Sequence, residues 1–350
     1  MYIYFFLFFL IIIFGILLKN NKQTNKKIYC IVVFLLLFFI VALRNPNLGI
    51  LDTSHVYVPN FLKCKYLSFE DIMTEFKDPV FFIFAKIFMI FSSNSQLWLA
   101  FIGIPLLAFV SYMIYKESRN PILSFIMFIS LGYFGLCSFT ILRHAVALAF
   151  IVLSYFQLKN NKNLKFIALV LIASLFHQSA LVFLPTVFLK KDTYNSKITK
   201  KYIIILICYF ITILFKQNAR NVIMEYLATG RYLSYVDRNV ILSYTPFYIN
   251  LLILLACDII IYNNKQKNYL LVKLMTIGTC ISCFSVIVGE FYRLSMFYTI
   301  FSIILLPNVI NENKSSKEII SLAFSLIFIL YFLLFNASDN KILPYMFFWE

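Results

Sequence analysis

Long apolar runs set the terms for this chain. Ten of them, at 2–18, 28–43, 96–115, 121–139, 141–158, 202–215, 244–262, 269–288, 291–310 and 319–335, follow one another with short polar links between most. A helix needs about 20 mostly apolar residues to cross the roughly 30 Å hydrocarbon core of a bilayer, because each residue rises about 1.5 Å. The runs therefore read as membrane-spanning helices, some a little short. Composition agrees: 62% of the 350 residues are hydrophobic and only 13% charged, against about 25% charged in a soluble domain. Forty-one Phe and a mean hydropathy of +0.86 cannot be hidden in one water-soluble core of this length. A soluble enzyme, a disordered chain and a nucleic-acid binder are excluded on these grounds. The net charge of +16 reads as topology, since basic residues collect on the cytoplasmic side of membrane proteins. The first run is expected to stay as a helix and not be cleaved as a signal peptide. Lys19, Lys22, Lys26 and Lys27 follow it instead of preceding it, which also places the N-terminus outside.

One further apolar stretch, 166–189, is interrupted at His177, Gln178 and Ser179. Read as a single span, it would leave 15 Lys and Arg inside and 16 outside. Read as a re-entrant or broken segment, it gives 19 inside and 12 outside, with five acids inside and ten outside. Only the second arrangement obeys the positive-inside rule. A helix can break at membrane depth only where protein or water satisfies its freed backbone, so the tip at His177 is expected to face a polar cavity open to the outside. The expected architecture is all-α and polytopic, a single membrane domain over 1–350 of about ten spanning helices plus the broken 166–189 segment. Its outer parts are loop 44–95, loop 216–243 and the tail 336–350. Within the first loop, the apolar piece 79–91 is too short to span and reads as an interfacial or re-entrant helix with Lys86 reaching toward water.

On this topology a set of ionisable residues gathers at the outer boundary: Arg44, Asp52 and His55; Arg143 and His144; His177; Glu290 and Arg293; and Arg220, Arg231, Asp237 and Arg238. Any single charge at a helix end can snorkel. Together they suit a lipid-linked phosphate, because the planar guanidinium donates two parallel hydrogen bonds and stays charged. Glu70, Asp71, Glu75 and Asp78 read as the solvated face of a short loop helix. Cys280 and Cys283, one helical turn apart without a His or carboxylate partner, read as packing residues; no disulfide framework or metal site is expected. No Walker A loop, GxGxxG or HExxH is present.

The run LRHAVALAFIVLSYFQLKNNKNLKFIALVLIASLFHQSALVFLP at 142–185 resembles the EpsG family, polysaccharide polymerases close in role to the Wzy O-antigen polymerases. Three elements carry the likeness: Arg44 with Gly49, Asp52 and Tyr57; Arg143 followed by Ala147 at the head of a helix; and Phe176-His177-x-Ser179-Ala180 with Pro185 downstream. The Arg293 region with Tyr298 and the closing LPYMFF at 343–348 are also similar. Position 144 carries His where many relatives carry Gln. The resemblance implies a GT-C-like membrane glycosyltransferase of a bacterial cytoplasmic (inner) membrane, with its site facing outward and no metal, nucleotide sugar or other cofactor. Donor and acceptor would be oligosaccharides on polyprenyl diphosphate, in a membrane-lipid setting. A flippase and a chain-length regulator would be pathway partners, and nucleic acid would not.

For such a transfer, Arg44, Arg143 and Arg293 are the expected diphosphate contacts, and either His177 or Asp52 the expected base. Glu290 is expected to orient Arg293 three residues on, with His55, His144 and Arg231 in support. Two other classes compete. A lipid-linked oligosaccharide transporter would need an inner cavity as well. A membrane O-acyltransferase would need a donor site reached from the cytoplasm.

Overall fold

The computed structural model describes residues 1–18, 23–49, 52–189, 198–228, 242–261, 269–313, 316–337 and 341–350. These are helical almost throughout, and the sole β feature among them is an isolated antiparallel bridge between Arg44 and Phe347. Each of the ten expected runs falls on a helix or a pair of helices. Six helices are long and apolar enough to cross a membrane on their own, and two bent pairs bring the number to eight. The chain is an all-α polytopic membrane protein.

Two compact units divide the chain: Met1–Val187 with Ile310–Glu350, and Phe188–Val309. The first contains α1 (Tyr2–Leu17), α2 (Gln23–Ala42), α3 (Val58–Lys63), α4 (Phe69–Glu75) and α5 (Pro79–Phe88). It continues with α6 (Ser95–Glu117), α7 (Pro121–Ser130), α8 (Tyr133–Phe139), α9 (Leu142–Lys159) and α10 (Asn163–Phe176). Side chains start several of these. Asn94 accepts from Gln96 N–H at 2.8 Å and caps α6, Asn120 caps α7 ahead of Pro121, and Ser68 with Asp71 closes a capping box on α4. α2 lies against α6, α6 against α9, and α9 against α10.

The second unit contains α11 (Ile198–Ala228), α12 (Thr245–Ile261), α13 (Tyr269–Cys283), α14 (Glu290–Thr299) and the greater part of α15 (Ser302–Glu312), with α13 packed on α11, α12 and α14. α16 (Lys317–Tyr331) returns to the first unit and packs on α7. Large apolar side chains are exposed along α11 and α16, among them Ile203, Phe210, Leu214, Leu322 and Leu326. Solvent water would not tolerate such continuous apolar faces, whereas lipid does.

The helices depart from the sequence reading in four places. The run 121–139 is broken by 53° between α7 and α8, where Gly132 takes φ +86°, a conformation that costs L side chains about 1–2 kcal/mol. The run 291–310 is bent by 42° between α14 and α15. α11 continues to Ala228, beyond the expected end at residue 215. No Gly or Pro interrupts 216–228, and Gln217 reaches Asn221 one turn on. Lys86 does not reach toward water: its Nζ donates to the carbonyl of Cys64, the residue that caps α3 (3.2 Å), and to that of Leu67 in the link to α4 (2.5 Å).

The interruption in 166–189 is present. α10 stops at Phe176, His177 is extended (φ −157°, ψ 107°), and a 3₁₀ stretch runs over Gln178–Phe188.

Candidate functional site

At one end of the first unit, three polar side chains converge from three different elements. Asp78 ends the loop before α5, with Pro79 opening the helix. α5 folds back onto α10 and buries Phe81, Phe82 and Ala85. That packing carries Asp78 out of solvent, leaving it 3% exposed. The side chain read from sequence as part of a solvated face is thus an interior carboxylate, and its partners are two residues that the sequence singled out. Asp78 Oδ2 accepts from Arg143 Nη1 at 2.9 Å and lies 3.3 Å from His177 Nδ1.

Each partner owes its position to a local break. Arg143 is the second residue of α9, just past the α8–α9 turn, so its side chain leaves the helix at the end and not from its side. His177 is the extended residue that ends α10, and its ring is therefore free of the helical stack. Both remain partly exposed, at 21% and 23% of the side chain, while Asp78 is enclosed. A buried carboxylate thus holds two cation-capable groups that reach the protein surface.

Burial alone would push the Asp78 carboxyl up, but the His177 hydrogen bond and the Arg143 charge hold it below the usual carboxylate range. As an ionised carboxylate it accepts hydrogen bonds and donates none. The imidazole therefore places its proton on Nδ1 and leaves Nε2 as the lone-pair nitrogen when neutral. This is the arrangement in which a carboxylate orients a histidine base.

Tyr57 and His144 complete the surroundings. The Arg143 backbone N–H donates to the Tyr57 hydroxyl at 3.5 Å, and the guanidinium carbon lies 6.0 Å from the Tyr57 ring. His144, 1% exposed, meets the His177 ring edge-on at 5.5 Å. Tyr57 itself is held by the π-helical turn Thr53–Tyr57, which Thr53 Oγ1 pins to the Phe139 carbonyl at 2.5 Å. Gly49 allows that loop to approach. It has φ +96°, and a Cβ there would lie 2.7 Å from Thr140 Oγ1.

Arg44 has a different setting from the one expected. It is fully buried, donates Nη2–H to the Ser138 carbonyl at 2.9 Å and stands 4.9 Å from the Phe139 ring. Burial lowers its pKa to about 10, which leaves it charged at neutral pH. The C-terminal tail covers it: Asn45 N–H bonds the Met346 carbonyl at 2.9 Å and Phe348 N–H bonds the Leu43 carbonyl at 2.9 Å. In this arrangement Arg44 is tied to the end of α8, its Nε and Nη1 are buried without a hydrogen-bond partner among the described residues, and it has no exposed surface.

Of the remaining expected residues, Asp52 precedes the π-helical turn and is partly buried, and His55 is exposed with its Nδ1 3.0 Å from Ser54 Oγ. Glu290 and Arg293 lie in the first turn of α14 in the second unit, and among the described residues no ion pair joins them. Glu290 instead occupies the helix N-terminus, where the helix dipole favours a negative charge. Arg231, Asp237 and Arg238 lie outside the described residues.

Among the described residues, no group of three or more His, Cys, Asp or Glu side chains could hold a metal ion. The residue that sequence reasoning missed is Asp78. Its signal was an Asp-Pro pair directly ahead of an apolar helix inside a polar loop, which marks a helix start but not burial.

No curated protein and no solved structure matches the chain. The EpsG family model matches residues 27–347, which covers Arg44, the 53–57 turn, Asp78, Arg143 and His177. With α3 to α16 and this cluster inside that span, which takes in nearly the whole chain, the chain belongs to the EpsG family, a family of Wzy-like polymerases.

Proposed function

We propose that this protein is a polysaccharide polymerase whose reaction is run by Asp78, His177 and Arg143 at the outer face of a bacterial cytoplasmic membrane. The growing glycan moves from its polyprenyl diphosphate onto a hydroxyl of the next lipid-linked repeat unit. The acceptor oxygen bonds to the anomeric carbon, the bond from that carbon to the diphosphate oxygen breaks, and the acceptor proton passes to His177 Nε2. The lipid diphosphate departs with the bonding pair. Arg143 stabilises its charge from a fixed position in a site of low dielectric.

One observation carries the reading: a buried carboxylate pairs at once with the expected base and with an expected diphosphate contact. It favours His177 over Asp52 as the base, because Asp78 sets the tautomer that leaves Nε2 able to accept a proton. Asp78 acts through the other two and is a positioning residue. Arg44, buried against the end of α8, is assigned a structural role and not a phosphate contact.

Substitution in cells tests the class of reaction. Arg143→Ala and His177→Ala should each leave single lipid-linked repeats on the outer surface, accessible to an impermeant glycan label but not polymerised. Removal of one such charge contact is expected to cost about 10²–10³ in rate. Repeats trapped inside the cell would replace this reading with the transporter.

A further inference from the structure

The opposite end of the same unit holds a groove that the polymerase chemistry does not use. It runs between α2 and α6 with a volume of about 440 Å³. The two helices are antiparallel there: Lys26 near the start of α2 donates to the Ser118 carbonyl past the end of α6 at 2.6 Å, while Gln96 at the start of α6 reaches the Ala42 carbonyl at 2.7 Å. The groove's lining includes the apolar or small side chains Cys30, Ile31, Phe34 and Ala108. Its mouth carries Lys27 and Lys116.

The chemistry changes abruptly along this groove. From Lys27 to Phe34, α2 rises about 10 Å, and all of the charge stands at one end. Both lysines are exposed, and neither has a carboxylate partner among the described residues. The nearest acid along the chain, Glu117, is already paired with Lys159 at 2.5 Å. Tyr112 and Tyr115 hold the Lys116 ammonium at the mouth, 5.7 and 5.1 Å from their ring centres. Ser111 adds a buried hydroxyl with no hydrogen-bond partner to the wall of the groove.

An occupant must match an apolar groove between two helices, a polar spot on its wall, and two exposed lysines at one end. We propose that this groove binds an anionic phospholipid, with one acyl chain between α2 and α6 and the phosphate held by Lys27 and Lys116. In the topology set by the basic residues this end faces the cytoplasm, the side on which a negative surface potential attracts juxtamembrane lysines. The tyrosines sit where aromatic side chains anchor a protein at the membrane interface.

Native mass spectrometry of the full-length protein in detergent tests this with phosphatidylglycerol, phosphatidylcholine and inorganic phosphate as separate additions. The wild type should retain one phosphatidylglycerol in preference to phosphatidylcholine, and inorganic phosphate should not displace it. K27Q/K116Q should weaken phosphatidylglycerol retention about thirty-fold, the effect of removing two juxtamembrane cations, and leave phosphatidylcholine unchanged. A108F keeps both lysines but fills the channel, and should lose the lipid as well. Equal retention by the wild type and K27Q/K116Q would overturn the proposal. So would undiminished retention by A108F, or displacement by phosphate alone, which would reduce the site to a pair of surface charges.

Discussion

Among the described residues two carboxylates are buried with cations beside them, and their surroundings differ. Asp258, on α12 in the second unit, is 8% exposed. It takes Lys201 Nζ at 2.6 Å and the Tyr202 hydroxyl at 2.5 Å, and Lys201 is itself only 5% exposed. Both of its oxygens are used, and both ends of the pair are closed. Asp78 in the first unit is buried just as deeply, but it stands in a loop, and its two partners, one from a helix start and one from a helix break, are partly exposed. A closed pair within a membrane helix bundle staples α11 to α12. An open pair with a buried anchor presents reactive groups in fixed positions. On the proposed function, the contrast separates a buried charge that holds the fold from one that serves chemistry.

The sharpest way to break this contrast is to neutralise each carboxylate in turn. Asp258→Asn leaves Lys201 buried without its counter-charge and should cost about 3–5 kcal/mol of stability, measured as a loss of thermal unfolding temperature in detergent. The molecules that remain folded should polymerise normally. Asp78→Asn should do the reverse, with a smaller stability change and a large loss of activity. If both substitutions lowered stability and activity alike, the division between staple and site would fail.

A smaller effect tests the scaffold under the site. Gly49→Ala forces a side chain into φ +96° against Thr140 and the Phe139 carbonyl, at about 1–2 kcal/mol for the backbone alone. Because the Thr53–Tyr57 turn is pinned to that same carbonyl, the variant should lower turnover together with stability. A variant that is destabilised yet fully active would show that Tyr57 is not needed in place.

The smallest effect is in pH. The folded Asp78 carboxyl lies below the usual range, so its contribution is complete above the unfolded value of about 3.9 and is lost as pH falls through the folded one. The stability gap between the wild type and Asp78→Asn should not shrink from about pH 8 to pH 5 and should close only below about pH 4. A gap that closed near pH 6 would mean that the carboxylate is not held by Arg143 and His177.

The sequence foretold the parts of this molecule that depend on local pattern. The apolar runs became helices, and the polar interruption at His177 became a break, because hydrophobic length and backbone satisfaction act within one segment. Arg143 stood out at a helix end and His177 at the interruption, and both reach Asp78; Tyr57, marked only by the family resemblance, lies against Arg143. The burial of Asp78 was not legible, because it follows from α5 packing back on α10, a contact between segments about ninety residues apart. The enclosure of Arg44 likewise needs the far C-terminal tail. The pairing of Lys201 with Asp258 needs two helices whose order along the chain says nothing of their register. The bend between α14 and α15 left no Gly or Pro at the break itself.

The central claim is that Asp78 and His177 act as one unit. Turnover of purified lipid-linked repeats by the reconstituted wild type, Asp78→Asn, His177→Gln and the double variant measures it. Each single variant should lose about 10²–10³ in rate, and the double variant should lose little more than the worse single, as groups that work together do. Losses that multiply in full, or a single variant that keeps wild-type turnover, would contradict the account.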